Sequence, residues 1–371
     1  MDEIQKAAGL FDYIKDIVDE DRDRAKGQFY LTGSQSLRLM KNVADSLAGR
    51  VGVIKLMGLS LRELTGCGRP GVSLRSDVAG QPGVAGEPGV AGYRDPFVPA
   101  PWPGEAGGRP MAPDWPITPA RWDYDSLTAC IHKGFFPELH ETGSDLRDWA
   151  DFHSSYLQTY LEKDIRDILN IQDESAFIKF VKAAASLTGN MLNLKTMADI
   201  CGKDVKTVGA WLSVLESCGL VYLLEPYKNN FNKRLIKTPK LYFLDTGLAC
   251  WLLGWNTPEQ LVNGAMWGHI FESFVFAEIL KSYYNDGIVK PPLYYYRDTD
   301  KNEIDLVIAE GDTLYHVEIK PTANPAQSMV KSFRCLRNFP DKTVGTGALI
   351  CLAREILPLT EGVWILPAGM I

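Results

Sequence analysis

Leu314-Tyr315-His316-Val317-Glu318-Ile319-Lys320-Pro321 alternates with a period of two. An extended chain therefore sends His316, Glu318 and Lys320 to one face and Tyr315, Val317 and Ile319 to the other. The preceding run, Glu303-Ile304-Asp305-Leu306-Val307-Ile308, is joined to it by the polar Glu310-Gly311-Asp312. That spacing predicts a hairpin with Asp305 about 5 Å from the neighbouring strand. Two carboxylates so placed can share a divalent ion, because Mg²⁺ takes oxygen ligands at about 2.1 Å and keeps several waters. Lys320 beside them is a candidate catalytic group, able to orient an attacking water or neutralise charge developing on a phosphate. Upstream, Glu272 lies among Phe271, Phe274, Val275, Phe276, Ile279 and Leu280. A carboxylate in such company requires a cation or metal partner. Glu272, Asp305 and Glu318 are thus the candidate Mg²⁺ ligands.

A helix glutamate, a strand aspartate and then Glu-x-Lys, in that order, resembles the PD-(D/E)XK nuclease-like fold. The resemblance implies a nuclease-like C-terminal domain over 261–371. Cleavage is a separate matter, because a fold hosts many functions.

Moving toward the N-terminus, 122–260 reads as helical. Phe152, Tyr156, Tyr160 and Leu161 fall at helical spacing within 149–169, and 174–187 continues the pattern. Leu194 to Gly202 and then Val205 to Ser217, with Asp204 as N-cap and Gly219 closing, followed by the apolar run 220–224, spell a winged helix-turn-helix. Its second helix offers Lys206, Thr207 and then mostly small or apolar residues. That is poor equipment for reading base edges. The stretch Lys228-Asn229-Asn230-Phe231-Asn232-Lys233-Arg234-Leu235-Ile236-Lys237-Thr238-Pro239-Lys240 carries five basic residues and no acid. It is either a nonspecific DNA-binding strip of Lys228, Lys233, Arg234, Lys237 and Lys240 or a solvated rim.

From 66 to 121 the composition turns to Gly and Pro, with a glycine at every third residue from Gly80 to Gly92. This reads as a flexible insertion, since a collagen triple helix needs many more triplets and three chains. Residues 1–65 follow a strand, polar tip and helix rhythm: a helix from 7 to 18, a strand from 28 to 32, a helix from 36 to 48 and a strand from 52 to 56.

At 371 residues the chain is expected to hold two or three folding units. With 46% hydrophobic residues, wholesale disorder is excluded. The longest apolar stretch, 241–255, is broken by Asp245, Thr246 and Gly247 and falls short of a bilayer span of about 20 residues. No membrane association is expected. Seven cysteines without a CxxC pair, and no basic and apolar leader, argue against secretion or a zinc knuckle and give the cytoplasm as the expected compartment. A net charge of −7 confines any phosphate contact to a local patch.

Asp2-Glu3-Ile4-Gln5, Leu31-Thr32-Gly33-Ser34-Gln35, Ser46 to Arg50, Asn229 with Lys233-Arg234, Pro239-Lys240-Leu241-Tyr242-Phe243-Leu244-Asp245-Thr246-Gly247-Leu248 and Gly268 to Glu278 together resemble the prokaryotic AAA-type ATPases that carry a DUF4143 C-terminal region. The resemblance implies an α/β protein with a P-loop ATPase domain, a winged-helix middle and a nuclease-like end, working with ATP and Mg²⁺. It assigns Asp2 and Glu3 to the Walker B pair, Ser34 to the sensor tip that reads the γ-phosphate, and Arg50 to a phosphate-sensing or finger arginine. A structural salt bridge is the equal alternative for Arg50. Finger arginines act between subunits, so a homo-oligomer is a further expectation. A P-loop needs G-x-x-x-x-G-K-[ST], and the one Gly-Lys dipeptide, Gly202-Lys203, precedes Asp204. The expectation is a partial ATPase domain over 1–65, truncated before Walker B, with ATP binding weak or lost. Three functions remain open: an AAA-type ATPase family protein, a non-enzymatic DNA- or protein-binding remnant, and a Mg²⁺-dependent nuclease.

Overall fold

The computed structural model describes residues 4, 7, 9–20, 27–33, 47, 49–65, 122–141, 145–159, 173–228, 237–339 and 341–371. The stretch 66–121 that the sequence reads as an insertion, Asp2, Glu3, Ser34, Lys233 and Arg234 lie outside the described residues.

The protein is mixed α/β. Near the N-terminus, helix α1 (Gly9–Glu20) buries Phe11 and Ile14 against Ile4 and Leu47. Among the described residues, the expected strand at 28–32 forms no ladder, although Ile4 donates its amide to the Thr32 carbonyl at 3.2 Å. The expected strand at 52–56 is likewise irregular, and it leaves Ile54 and Leu56 exposed. Helix α2 (Leu61–Leu64) follows, closed by a capping box between Ser60 and Glu63.

From residue 122 come α3 (Tyr124–Lys133), α4 (Leu146–Tyr156) and α5 (Glu174–Ser186). The helix expected over 149–169 starts three residues earlier, behind the Asp145 cap, and is regular to Tyr156. Next are β1 (Asn190–Met191), α6 (Leu194–Cys201), α7 (Val205–Ser217), β2 (Val221–Leu224) and β3 (Lys240–Phe243). These strands form an antiparallel three-stranded sheet in the order β1-β3-β2. Gly202 ends α6 in the left-handed conformation at φ 63°, and Asp204 caps α7 on the Thr207 amide at 2.9 Å.

Helices α8 (Thr246–Leu253) and α9 (Pro258–Val262) lead to α10 (Trp267–Asn285). The apolar run 241–255, expected to be too short to span a bilayer, holds most of β3, a capped turn and α8. Helix α10 buries residues on all sides, as a helix enclosed in a core must. The last region is a six-stranded mixed sheet in the order β4-β5-β6-β7-β9-β8. Its strands are β4 (Leu293–Arg297), β5 (Glu303–Glu310), β6 (Thr313–Lys320), β7 (Thr343–Cys351), β8 (Leu357–Thr360) and β9 (Val363–Pro367). β5 and β6 form the expected hairpin, in register Leu306 with Val317, and β6 runs parallel to β7. Three strands follow β6, and the segment Gln327–Asn338 between β6 and β7 is 3-10 helical.

One apolar core runs from Leu61 through α3, α5, α7, β3, α8 and α10 to Ile371. A second cluster, including Tyr296, Ile304, Val307, Phe333, Phe339 and Leu349, fills the opposite face of the large sheet. Among the described residues, no helix is long and apolar enough to cross a membrane.

Candidate functional site: a lysine-filled acid cluster

The hairpin register aligns Asp305 of β5 with Glu318 of β6, one step beyond the Leu306 and Val317 pair. The Asp305 Oδ2 accepts the Ile319 amide at 2.9 Å and the Lys320 ammonium at 3.1 Å. Lys320 Nζ also lies 2.7 Å from Glu318 Oε1. The structure thus brings together Glu272, Asp305, Glu318 and Lys320, but a fifth group completes the arrangement.

That group is Lys240, the first residue of β3, whose side chain is only 3% exposed. Its Nζ lies 2.9 Å from Glu272 Oε1, 2.6 Å from Glu303 Oε1 and 3.8 Å from Asp305 Oδ1. Tyr242, two residues on and therefore on the same face of β3, donates its hydroxyl to Glu272 Oε1 at 2.6 Å. Arg297 of β4 pairs with Glu303 from the other side. Four acids thus meet three cations, which nearly neutralises the cluster within the chain.

The electrostatics follow the burial. Desolvation pulls the Lys240 ammonium down, but Glu272, Tyr242, Asp305 and Glu303 together outweigh it and hold its proton above the usual lysine range. Burial raises the Glu272 carboxyl, opposed by Lys240. Burial also pushes Glu318 up to about 8, reinforced by Asp305 and opposed by Lys320. The Glu318 Oε2 atom is buried without a hydrogen-bond partner.

A Mg²⁺ ion shared by Glu272, Asp305 and Glu318 does not fit this donor set. The space between Glu272 and Asp305 is filled by an ammonium, and the Glu318 and Asp305 oxygens that face each other are joined by Lys320. Among the described residues, no group of three or more His, Cys, Asp or Glu is arranged to hold a metal ion.

Of the expected basic strip, Lys240 is a correction: it is buried, drawn inward by three acids, and is not a surface contact. Lys228 is exposed and pairs with Glu225 at 3.5 Å, and Lys237 is exposed. Arg50 forms a two-pronged ion pair with Asp19, at 2.7 and 2.8 Å, the arrangement of its structural alternative. The sequence reading missed Lys240, Tyr242, Glu303 and Arg297 as members of the cluster. A signal existed in Lys240 and Tyr242, polar atoms at alternate positions of a strand that is otherwise wholly apolar.

The same run continues into a second tight junction. Asp245 caps α8 on the Leu248 amide at 2.8 Å and accepts the Phe135 amide at 2.7 Å, while Thr246 donates to the Ile131 carbonyl at 2.5 Å. Gly247 lies against the end of α3, where an added Cβ would collide with the Lys133 carbonyl and the Gly134 Cα. Each conspicuous residue of Lys240 to Leu248 therefore has a packing or pairing role.

Residues 1–65 match the AAA domain family model, 124–259 match the domain of unknown function DUF8612, and 267–371 match the domain of unknown function DUF4143. An AAA domain match at the front with a DUF4143 match at the end is consistent with an AAA-type ATPase-like protein. The chain is similar to Uncharacterized protein Mb2031c of Mycobacterium bovis and to Uncharacterized protein Rv2008c of Mycobacterium tuberculosis. Each is 26% identical over 373 residues, covering 100% of this chain and 68% of the relative. No solved structure matches.

Proposed function

We propose that this AAA-like ATPase family protein uses its C-terminal half as a non-enzymatic binding and scaffolding module rather than as a nuclease. The observation that carries the reading is the Lys240 ammonium among Glu272, Glu303 and Asp305. A catalytic metal needs free carboxylate oxygens and open coordination positions, whereas here Glu272, Glu303, Asp305 and Glu318 each already pair at least one oxygen with a lysine of the chain. We read 174–243 as a winged helix, on its order of helix, strand, two helices and two strands, and 261–371 as a nuclease-like scaffold. The Thr207 amide and hydroxyl are held by Asp204 at 2.9 and 2.6 Å, which takes a polar side chain away from base reading. Protein contacts are therefore favoured over sequence-specific DNA contacts. Nonspecific DNA binding through the exposed Lys237 and its neighbours is the weaker alternative.

ATP chemistry is the family's general property, but these 371 residues contain no G-x-x-x-x-G-K-[ST]. We read the chain by itself as lacking tight ATP binding, and calorimetry with Mg-ATP is expected to show no micromolar site. The test of the module is supercoiled plasmid incubated with the protein and Mg²⁺ or Mn²⁺. The expected result is no nicking above a no-protein control. Metal-dependent nicking that disappears in Asp305→Ala would replace this reading with the nuclease.

A further inference from the structure

Helix α10 carries one more buried charge pair, outside the acid cluster. Glu278 and Lys281 stand one turn apart, each side chain 2% exposed, with Nζ 2.7 Å from Glu278 Oε1. The pair leaves a carboxylate oxygen and further ammonium protons in need of partners, and a buried charge without them is costly. Both sets of bonds go to one short segment far away in sequence. Glu278 Oε2 accepts the Leu61 amide at 2.9 Å, and Lys281 donates to the Leu59 carbonyl at 2.7 Å.

The segment fits its seat closely. The Leu59 amide bonds the Phe135 carbonyl at 2.8 Å, and a Cβ on Gly58 would come 2.7 Å from that same oxygen. Lys281 Nζ sits 3.8 Å from the centre of the Phe135 ring, and Leu61 is buried in the main core. The Leu61 amide is an otherwise unpaired donor in the first turn of α2. The Ser60 and Glu63 capping box holds that turn in the shape the seat receives.

We propose that Glu278, Lys281 and the Phe135 backbone form a docking site for the 58–64 turn, coupling the AAA-matching segment to the DUF4143 region as one body across the 66–121 stretch. The ligand is defined by its chemistry: a glycine-led backbone presenting a carbonyl and, two residues later, an amide to a paired ammonium and carboxylate, followed by an apolar anchor. Glu278 and Lys281 are positioning residues. Their bonds to the backbone, rather than to each other, make the joint.

The experiment places a recognition sequence for a site-specific protease within 66–121 of the full chain, cleaves it, and follows the pieces by size-exclusion chromatography. The N-terminal piece is expected to co-elute with the remainder. Glu278→Gln keeps an acceptor oxygen but removes its charge, and is expected to speed hydrogen exchange at the Leu61 amide by about tenfold as a charge-assisted hydrogen bond becomes a neutral one. In the Glu278→Leu and Lys281→Met double variant the pair is replaced by apolar volume, which buried cores tolerate. There the 122–371 piece is expected to keep its circular dichroism while the N-terminal piece elutes separately. Dissociation of the cleaved wild type would overturn the proposal. So would co-elution and unchanged Leu61 exchange in the double variant. Should the double variant not fold, Glu278→Gln decides, and an unchanged Leu61 exchange rate in it overturns the joint.

Discussion

Lys240 is the residue on which the site turns. It begins a buried strand, yet three carboxylates offset its desolvation. Breaking a buried ion pair from one side leaves uncompensated charge and costs about 3–5 kcal/mol. Lys240→Met is therefore expected to lower the unfolding free energy from urea denaturation by that amount, and pairing it with Glu272→Leu is expected to restore part of the loss. Strict additivity of the two changes in that cycle would show that the contact is not energetically real. Glu318 predicts a pH effect of definite sign. Its folded pKa, about 8, stands above the ordinary glutamate value of 4.5, so between those values the folded state holds a proton that the unfolded state has released. Stability conferred by this group is full below pH 4.5 and falls as pH rises through 8. Glu318→Gln removes the titration. Denaturation midpoints at pH 5 and pH 8 are expected to differ less in the variant than in the wild type, and an equal difference would refute the shifted carboxyl.

Among the elements, the junction between α3 and α8 is the least forgiving. Gly134 closes α3 at φ 86°, and Gly247 opens the first turn of α8 against it. Gly247→Ala is expected to cost about 1–3 kcal/mol by overpacking, read as a lower melting temperature with no change in secondary structure. Elements with a strong period could be read from the chain: β5, β6 and α7 stand within about two residues of their sequence patterns. Asp305 and Glu318 converged as the hairpin demanded, because pairing in a two-stranded unit is local. Lys240 escaped for the opposite reason. Its neighbours in sequence are basic, its neighbours in space arrive from α10 and β5, and no local pattern records a partner 32 or 65 residues away. The strand expected at 52–56 failed because period alone does not supply a neighbouring strand, and a strand without one satisfies none of its backbone groups.

At the scale of the molecule, the main core joins α3, α5, α7 and α8 to α10 and the large sheet without an apolar gap. The 124–259 and 267–371 regions are therefore expected to unfold together. Tryptophan fluorescence, which reports on Trp211 as well as Trp364, should give the same urea midpoint as far-ultraviolet circular dichroism, and two separated transitions would count against a shared core. The lysine held among the acids has one more consequence at this scale. A coordinated ion exchanges with the medium, so proteins that depend on one soften when a chelator strips it away. An amine carried on the backbone is present once per chain and cannot be dialysed out, and the protein should melt at the same temperature in EDTA as in magnesium-rich buffer.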